Sequence, residues 1–311
     1  MLGFVARRFA WLIGILLVLS LVTFALMHAL PGGPWDRDKP LSHLDPELVE
    51  NLNQEYGLDK PVWEQYGTFL WNALHGDLGL SYKYGDRGVT EIIMSGFPAT
   101  FTLAVVAFVI AIFIGISLGM VSAMRHNTAI DYLSVFLATI FVSTPGFIIG
   151  LILMIVFGVT LDLLPVAGWG SPAHIILPAL ALSSFPTALI ARVTRASVLD
   201  VLQQDYVRTA RAKGLPERVV MFRHVLRNAM IPILTISGPE WAFLISGSVI
   251  IETVFAVPGI GRLFVIGVFE RDYGLIMGGT LFYAFAIALV NLAVDVLYGV
   301  VDPRIRLTRR A

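Results

Sequence analysis

One stretch of the chain carries basic residues at regular spacing between two long apolar runs, from Asp205 to Pro232 (DYVRTARAKGLPERVVMFRHVLRNAMIP). Guanidinium and ammonium groups bind phosphates and carboxylates through charge-assisted hydrogen bonds. Two kinds of contact suit this chemistry, namely phospholipid headgroups at the membrane surface or a groove on another protein. The sequence therefore predicts that this stretch contacts something at one face of a membrane.

Capping signals divide the stretch into two helices. Asp205 is predicted to cap a helix that runs to about Lys213, and Gly214 supplies its left-handed end. Pro216 with Glu217 suits the first turn of a second helix. The basic side chains of the polar faces are Arg208, Arg211, Lys213, Arg218, Arg223 and Arg227. The side chains free to bury against lipid or a protein groove are Tyr206, Ala210, Leu215, Val219, Phe222 and Leu226. We predict a helix, a tight turn and a second helix lying against the membrane.

No other residue pattern indicates catalysis or metal binding. The 6 histidines are scattered without an HExxH or similar ligand spacing, and the chain has 0 cysteines. A GxxxxGK[ST] phosphate loop is absent, so any ATP hydrolysis is expected to reside in another subunit. The sequence predicts no catalytic residue, metal site or cofactor of its own.

The elements that position the basic stretch are membrane spans. Of the 311 residues, 57% are hydrophobic and only 14% are charged. Crossing a bilayer core takes about 20 helical residues, and helices are required because lipid cannot satisfy an exposed backbone. Six runs are long enough: Phe9–Leu30, Phe97–Ala123, Tyr132–Leu161, Pro172–Ala191, Ala229–Ile251 and Tyr273–Val301. The predicted fold class is all-α, a polytopic membrane protein with six transmembrane helices.

The placement of Lys and Arg predicts the orientation. With a cytosolic amino terminus, 15 of the 22 basic residues fall inside, and both termini are cytosolic. The largest external segment, residues 31–96, has 5 basic and 11 acidic residues and is predicted to fold as a small helical cap between the first two spans. It reads as two short amphipathic helices broken at GLDKP. The cap either packs only onto the membrane domain or also docks an external partner.

Breaks and buried charges within the spans mark candidate pathway residues. Pro145 and Pro186 interrupt helical runs and are predicted to bend them, with either a gating or an architectural role. Gly115 and Gly119 stand four residues apart, which suits close helix packing. Glu240 lies near the middle of its span. A carboxylate there is costly, so it is predicted either to attract a cationic group of a substrate or to line a cavity without selecting anything.

Several segments together resemble the permease subunits of ABC importers of the oligopeptide/dipeptide family. The resemblance covers nearly the whole chain and lies in MLGFVARR, LPGGP, HGDLGLSYKY, SGFPATFTLA, QDYVRTARAKGLPERVVMFRHVLRNAMIP, GSVIIETVFAVPGIGRLF and VDVLYGVVDPRIR. The basic stretch departs from the broad importer signature, which has Glu-Ala-Ala before the glycine, since Arg208, Thr209 and Ala210 stand there. The hydrophobic-proline ending comes late, at Ile231 and Pro232. Both departures are expected of peptide permeases.

The resemblance implies a type I importer permease fold and a function in peptide uptake by alternating access. It implies that residues 200–228 form a coupling loop that inserts into an ATPase subunit. The predicted coupling residues are Asp205, Tyr206, Arg208, Thr209, Ala210, Arg211, Ala212, Lys213, Gly214, Leu215 and Glu217. The candidate pathway and gate residues are Glu240, Trp241, Phe255, Pro258, Gly259, Gly261, Pro145 and Pro186. Pro258, Gly259 and Gly261 are predicted to break the helix after the fifth span and to bring Phe255 to the mouth of the pathway.

The same resemblance implies the partners and the location. They are a second, homologous permease, two P-loop ATPase subunits that bind ATP and Mg, an external substrate-binding protein and membrane lipid, with no nucleic acid. The expected location is the prokaryotic inner membrane. The predicted division is 1–30 for the amino terminus and first span, 31–96 for the cap, 97–301 for the permease core and 302–311 for a cytosolic tail. Import of an oligosaccharide, nickel or an opine-like compound stays open, as does an ion-coupled secondary carrier with Glu240 as its ion site.

Overall fold

The computed structural model describes residues 2–29, 34–35, 46–85 and 87–301. The predicted cytosolic tail, residues 302–311, and most of the LPGGP stretch lie outside the described residues. Within the described ranges the regular elements are helices, together with one isolated antiparallel bridge between Leu80 and Gly88. The all-α fold class is confirmed.

Twelve α-helices and two π-helical segments follow one another along the described chain. The α-helices are α1 (Leu2–Ala29), α2 (Pro46–Glu55), α3 (Val62–Leu74), α4 (Val89–Met124), α5 (Ala129–Ser143), α6 (Gly146–Leu153), α7 (Ala173–Leu202), α8 (Asp205–Ala212), α9 (Glu217–Val219), α10 (Arg227–Val254), α11 (Ile260–Phe269) and α12 (Tyr273–Val301). The π-helical segments are Met154–Thr160, which continues α6, and Val220–Leu226, which joins α9 to α10. Helices α2 and α3 are the two predicted helices of the cap.

By length and apolar composition, 5 of the described helices are able to cross a membrane. A sixth span exists if α5 and the run from α6 through Met154–Thr160 count as one, although these two helical rods meet at 108°. The predicted bend at Pro145 is therefore present, but it is sharper than a kink, because Thr144 and Pro145 lie between the two helices and belong to neither. Pro145 is the N-cap of α6, where its missing N–H is tolerated, and the extended backbone of Thr144 and Pro145 turns the chain.

The first compact unit consists of the described residues of Met1–Thr100 and Pro258–Leu289. It contains α1, α2, α3, the start of α4, α11 and most of α12. One apolar cluster joins Val89 and Ile93 of α4 to Ile260 of α11 and Leu275 of α12. A polar contact supports it, because the buried carboxylate of Asp272 accepts hydrogen bonds from a side chain and two backbone N–H groups. Helix α4 thus begins eight residues before the predicted span and anchors the end of the cap.

The second compact unit consists of the described residues of Phe101–Val257 and Val290–Ala311. Helix α7 is the most buried of the candidate spans, since 61% of its most apolar stretch lies inside the protein. Pro178 and Pro186 lie within α7 and are both buried. Helix α7 is continuous through Pro186, and the bend predicted at this proline stays a prediction.

Glycines of α4 permit a close approach to α7, as the sequence predicts. A Cβ atom on Gly115 would lie 2.8 Å from the Ile190 side chain, and one on Gly119 would lie 2.5 Å from the Ala191 carbonyl oxygen. Contacts of this length do not occur in relaxed proteins. The two helices consequently pack backbone against backbone, which in lipid replaces the hydrophobic driving force available in water.

We expect Gly119→Ala to destabilise the chain by about 1–3 kcal/mol, because the methyl group overpacks a contact that has no room for it. Thermal unfolding of the purified chain in detergent measures the effect. Gly14→Ala is the matched control, since a Cβ on that helical glycine meets nothing within 4 Å. Equal unfolding temperatures for the two variants would contradict the close packing of α4 on α7.

Candidate functional site

The predicted coupling loop is a short helix held to the protein by an apolar face. Val207 and Ala210 of α8 are 0% and 5% exposed. They pack in one cluster with Met120 of α4, Val198 of α7 and Val220 of the π-helical segment. The opposite face of α8 is charged and open, with its described basic residues directed away from the cluster. Helix α8 is therefore docked on the second unit through one side and presents the other.

The ends of α8 differ from the prediction at one residue and agree at the other. Gln204 is the N-cap, and Asp205 is the first helical residue, with a side chain 98% exposed and 3.9 Å from Arg208 Nη1. An acid in a first turn is favoured by the helix dipole, which produces the same sequence signal as a cap. Gly214 has φ +76°, the predicted left-handed conformation. Tyr206, predicted to face an apolar surface, is 43% exposed within this chain.

An ion pair closes the turn between α8 and α9. The Arg211 guanidinium donates from Nη2 to Glu217 Oε1 at 2.7 Å and from Nε to Oε2 at 3.2 Å. Hydrogen bonding by this carboxylate raises the pKa of Arg211 further above its ordinary value. Two parallel bonds between planar groups fix direction as well as distance. The turn around Gly214 is thus held in one shape from both sides.

A buried ion pair beside the same helices was not predicted. Asp131, 1% exposed, accepts hydrogen bonds from Arg195 Nε at 2.7 Å and Nη2 at 2.9 Å. It also accepts from Ser122 Oγ at 2.5 Å and from the Asn127 backbone N–H at 3.0 Å, and His126 Nδ1 lies 3.1 Å away. These contacts join α4, α5 and α7. The partners stand up to 64 residues apart, so no sequence spacing could reveal them.

Glu240 and Trp241 lie in the middle of α10, as predicted. Glu240 is 9% exposed, and its Oε2 is buried without a hydrogen-bond partner in the structure. The Trp241 ring makes edge contacts with Phe108, at 4.9 Å between centroids, and with Phe101, at 6.2 Å. Within the described ranges no three His, Asp or Glu side chains come close enough to hold a metal ion.

The residues after α10 divide between the two units. Phe255 is 1% exposed and packs inside the second unit, where its ring would lie 2.9 Å from a Cβ on Gly150. The placement of Phe255 near the mouth of the pathway stays a prediction, and the structure shows that its ring is packed rather than exposed. Pro258 lies in the irregular stretch before α11 and Gly259 is the N-cap of α11, so both interrupt the helical chain as predicted. Gly261 is helical and buried, which corrects its predicted role as a helix breaker.

The helices, the apolar spans and the docked charged loop define a polytopic membrane transport subunit. A model of the family "Binding-protein-dependent transport system inner membrane component" matches residues 115–307, and the corresponding N-terminal model matches residues 1–104. The chain belongs to this family and is a permease subunit of an ABC importer.

Curated relatives match over the full length. The dipeptide transport system permease protein DppB of Bacillus subtilis is 39% identical over 310 residues, which is 100% of both chains. The oligopeptide transport system permease protein OppB of Salmonella typhimurium is 41% identical over 98% of this chain and 100% of its own. OppB of Escherichia coli is 40% identical over the same shares.

Two solved structures share the fold. The MetNI methionine ABC transporter, in an inward-facing conformation, matches with a TM-score of 0.57 and 17% identity, over 68% of this chain and 96% of its own. An amino acid ABC transporter matches with a TM-score of 0.51 and 19% identity, over 69% and 94%. The type I importer permease fold predicted from the sequence is confirmed.

We expect Asp131→Ala to destabilise the chain by about 3 kcal/mol, because it leaves the Arg195 guanidinium unpaired in a largely buried setting. Unfolding in detergent measures the loss. Asp205→Ala is the control, since its carboxylate is almost fully exposed and its removal changes stability by less than about 0.5 kcal/mol. A loss no larger for Asp131→Ala than for the control would show that the buried pair contributes nothing to stability.

Proposed function

We propose that this permease subunit imports peptides. The observation that carries the proposal is the similarity, at 39–41% identity and over essentially whole chains, to permeases of dipeptide and oligopeptide transport systems. The loop geometry supports an ATP-driven mechanism, because α8 is docked by a small apolar face and leaves a charged face open. ATP and Mg are bound by partner subunits.

The proposed mechanism is alternating access driven through the coupling loop. ATP binding closes two ATPase subunits around α8 and displaces it. The displacement reaches α4 and α7 because Val207 and Ala210 are buried between them. These helices then open the pathway toward the side on which a binding protein delivers the peptide, and hydrolysis resets it. A second, homologous permease supplies the other half of the pathway.

The proposed orientation places both termini and the coupling loop in the cytosol of a prokaryotic cell and the cap outside. The excess of Lys and Arg on one side of the spans supports it. We also propose that Glu240 and Trp241 line the pathway, with Pro145, Pro186, Pro258 and Gly259 shaping the helices around it. Burial of Phe255 and Gly261 supports a packing role for these two residues.

Co-purification tests the proposed assembly. The chain is expressed with its neighbouring genes, purified through a carboxyl-terminal tag in detergent, and its companions are identified by mass spectrometry. A second permease with one or two P-loop ATPases is the expected result. ATP-dependent uptake of a tripeptide such as trialanine by the reconstituted complex then tests the substrate. A stable complex that lacks any ATPase would favour an ion-coupled carrier.

We expect Arg208→Glu to lower uptake by about tenfold while the complex still assembles, because the change reverses a charge on the open face of α8 and weakens its contact with the ATPase. The Arg208 side chain is 75% exposed, so the fold tolerates the change. Arg87→Glu, on the predicted external cap, reverses an exposed charge as well and serves as control. Uptake at the normal rate in the Arg208 variant would overturn the coupling assignment.

A further inference from the structure

The cap contains a cavity that the transport mechanism leaves unexplained. It lies inside the first unit, between the cap helices and the adjoining ends of α1 and α12, and has a volume of about 310 Å³. One water molecule occupies about 30 Å³, and small-molecule sites begin near this cavity's size. The space suits one or two amino-acid residues and is too small for a whole oligopeptide. A ligand would therefore place one end, or one side chain, inside it.

Tyrosine rings form one wall of the cavity. Tyr56 and Tyr82 meet edge to face at 4.7 Å between centroids, and Tyr82 lies 6.0 Å from Tyr273. Trp35 packs behind the first two rings, at 5.6 and 5.4 Å. Aromatic faces carry partial negative charge and attract a cation within about 6 Å of the ring centroid. The tyrosine wall thus favours a positively charged guest.

The basic side chains that line the cavity are already engaged. The Lys60 ammonium lies 3.7 Å from Glu64 Oε1, one helical turn further along α3. The ring nitrogens of His28 face the Phe24 carbonyl at 2.9 Å and the Gln65 side-chain oxygen at 3.3 Å. The Lys60 charge is thus balanced by Glu64, which does not line the cavity, and both ring nitrogens of His28 already face protein oxygens.

Two lining carboxylates have no basic partner in the described part of the chain. Asp77 accepts one hydrogen bond, from the Gly79 backbone N–H at 2.9 Å, through Oδ1 alone. Glu55 lines the cavity with no hydrogen bond or ion pair to any described residue. Carboxylates bind ammonium groups through strong charge-assisted hydrogen bonds. Among the described lining residues the charge left over is therefore negative, which suits the positively charged guest that the tyrosine wall favours.

Tyr82 adds a neutral polar group to the same wall. Burial, together with the nearby Asp272 carboxylate, raises the pKa of the Tyr82 hydroxyl above its ordinary value. The hydroxyl stays protonated and is able to accept a hydrogen bond from an ammonium through its oxygen. No described residue occupies that oxygen.

We propose that this cavity binds the amino-terminal ammonium group of the peptide substrate, with Glu55 and Asp77 as its carboxylate partners and Tyr56 and Tyr82 as its aromatic wall. The proposal rests on the proposed function, since it assumes a peptide arriving at the cap. An unblocked amino terminus is the one cation that such peptides share whatever their sequence. A site of this kind recognises peptides as a class and leaves side-chain preference to another component.

Equilibrium binding in the absence of ATP tests the proposal. The assembled transporter, without the binding protein, is placed in lipid nanodiscs and titrated with trialanine and with N-acetyl-trialanine by calorimetry. We expect trialanine to bind about tenfold more tightly than the acetylated peptide. Glu55→Gln with Asp77→Asn is expected to abolish that difference. Equal affinity of the two peptides for the unchanged transporter would refute the site.

Two matched variants separate local recognition from other effects. Glu50→Gln with Asp59→Asn removes the same charge from the cap, at residues that do not line the cavity, and is expected to retain the preference. Tyr82→Phe keeps the ring but loses the hydroxyl acceptor and is expected to bind trialanine about fivefold more weakly, whereas Tyr82→Leu, which loses both, is expected to bind it about twentyfold more weakly. Weakening by the Glu50 and Asp59 variant equal to that of the lining variant would attribute the effect to distant charge and overturn the proposal.

Uptake measured on the same preparations distinguishes this proposal from the proposed function. Amine-dependent binding without ATP-driven peptide uptake would contradict the proposed peptide import and support the ammonium site. Normal peptide uptake with no amine preference in binding would support peptide import and contradict the ammonium site. If the Glu55 and Asp77 variant weakens only the docking of the binding protein, the carboxylates recognise a protein surface and the peptide site is wrong.

Discussion

Satisfaction of backbone hydrogen bonds in a medium without water is the constraint on which the whole structure depends. Lipid forces each apolar run into a helix, so every place where a helix stops needs a substitute partner. After α10 the Phe255 carbonyl accepts from the Gly168 N–H at 2.8 Å, and at the start of α11 the Ile260 N–H donates to Thr100 Oγ1 at 2.9 Å. Asp272 plays the same part for the first turn of α12. The irregular segments are therefore as specifically bonded as the helices, and they fix the points at which the chain turns.

The proposed coupling loop obeys a second constraint, because a loop that couples two subunits has to be held by its own chain and still offer a surface to another. Small apolar residues solve this problem. Val207 and Ala210 are small, but their cluster contains residues from four other helical segments, namely α4, α7, the π-helical segment Val220–Leu226 and α10. The Arg211 to Glu217 pair then fixes the turn at Gly214 without using the apolar face. The charged face stays open as a result of what is buried behind it.

The sequence predicts those features that follow from local chemistry and misses those that depend on distant partners. The lengths of the apolar runs located the spans. The sequence also predicted a positive φ at Gly214, because glycine adopts that conformation without steric cost. Pro145 predicted the loss of a backbone hydrogen bond and a bend. The size of that bend, 108°, depends on what packs around the proline and could not be predicted from it. The contact between Asp131 and Arg195 leaves no trace in the spacing of the chain. Residue types therefore predicted the positions at which the helices end or bend, whereas the angles and contacts at those positions depend on packing.

The contrast between two buried acids gives the physical basis for proposing a pathway residue. Asp131 accepts hydrogen bonds from α4, from α7 and from the turn between α4 and α5, which is how a chain keeps a carboxylate inside without losing stability. Glu240 is buried too, yet one of its oxygens has no partner in the structure. A carboxylate at the centre of a span costs about 2.5–3.5 kcal/mol on insertion scales, and no described residue offsets that cost with a hydrogen bond to Glu240 Oε2. This unpaired oxygen is the reason for proposing, rather than assigning, a place for Glu240 beside the pathway of a polar substrate.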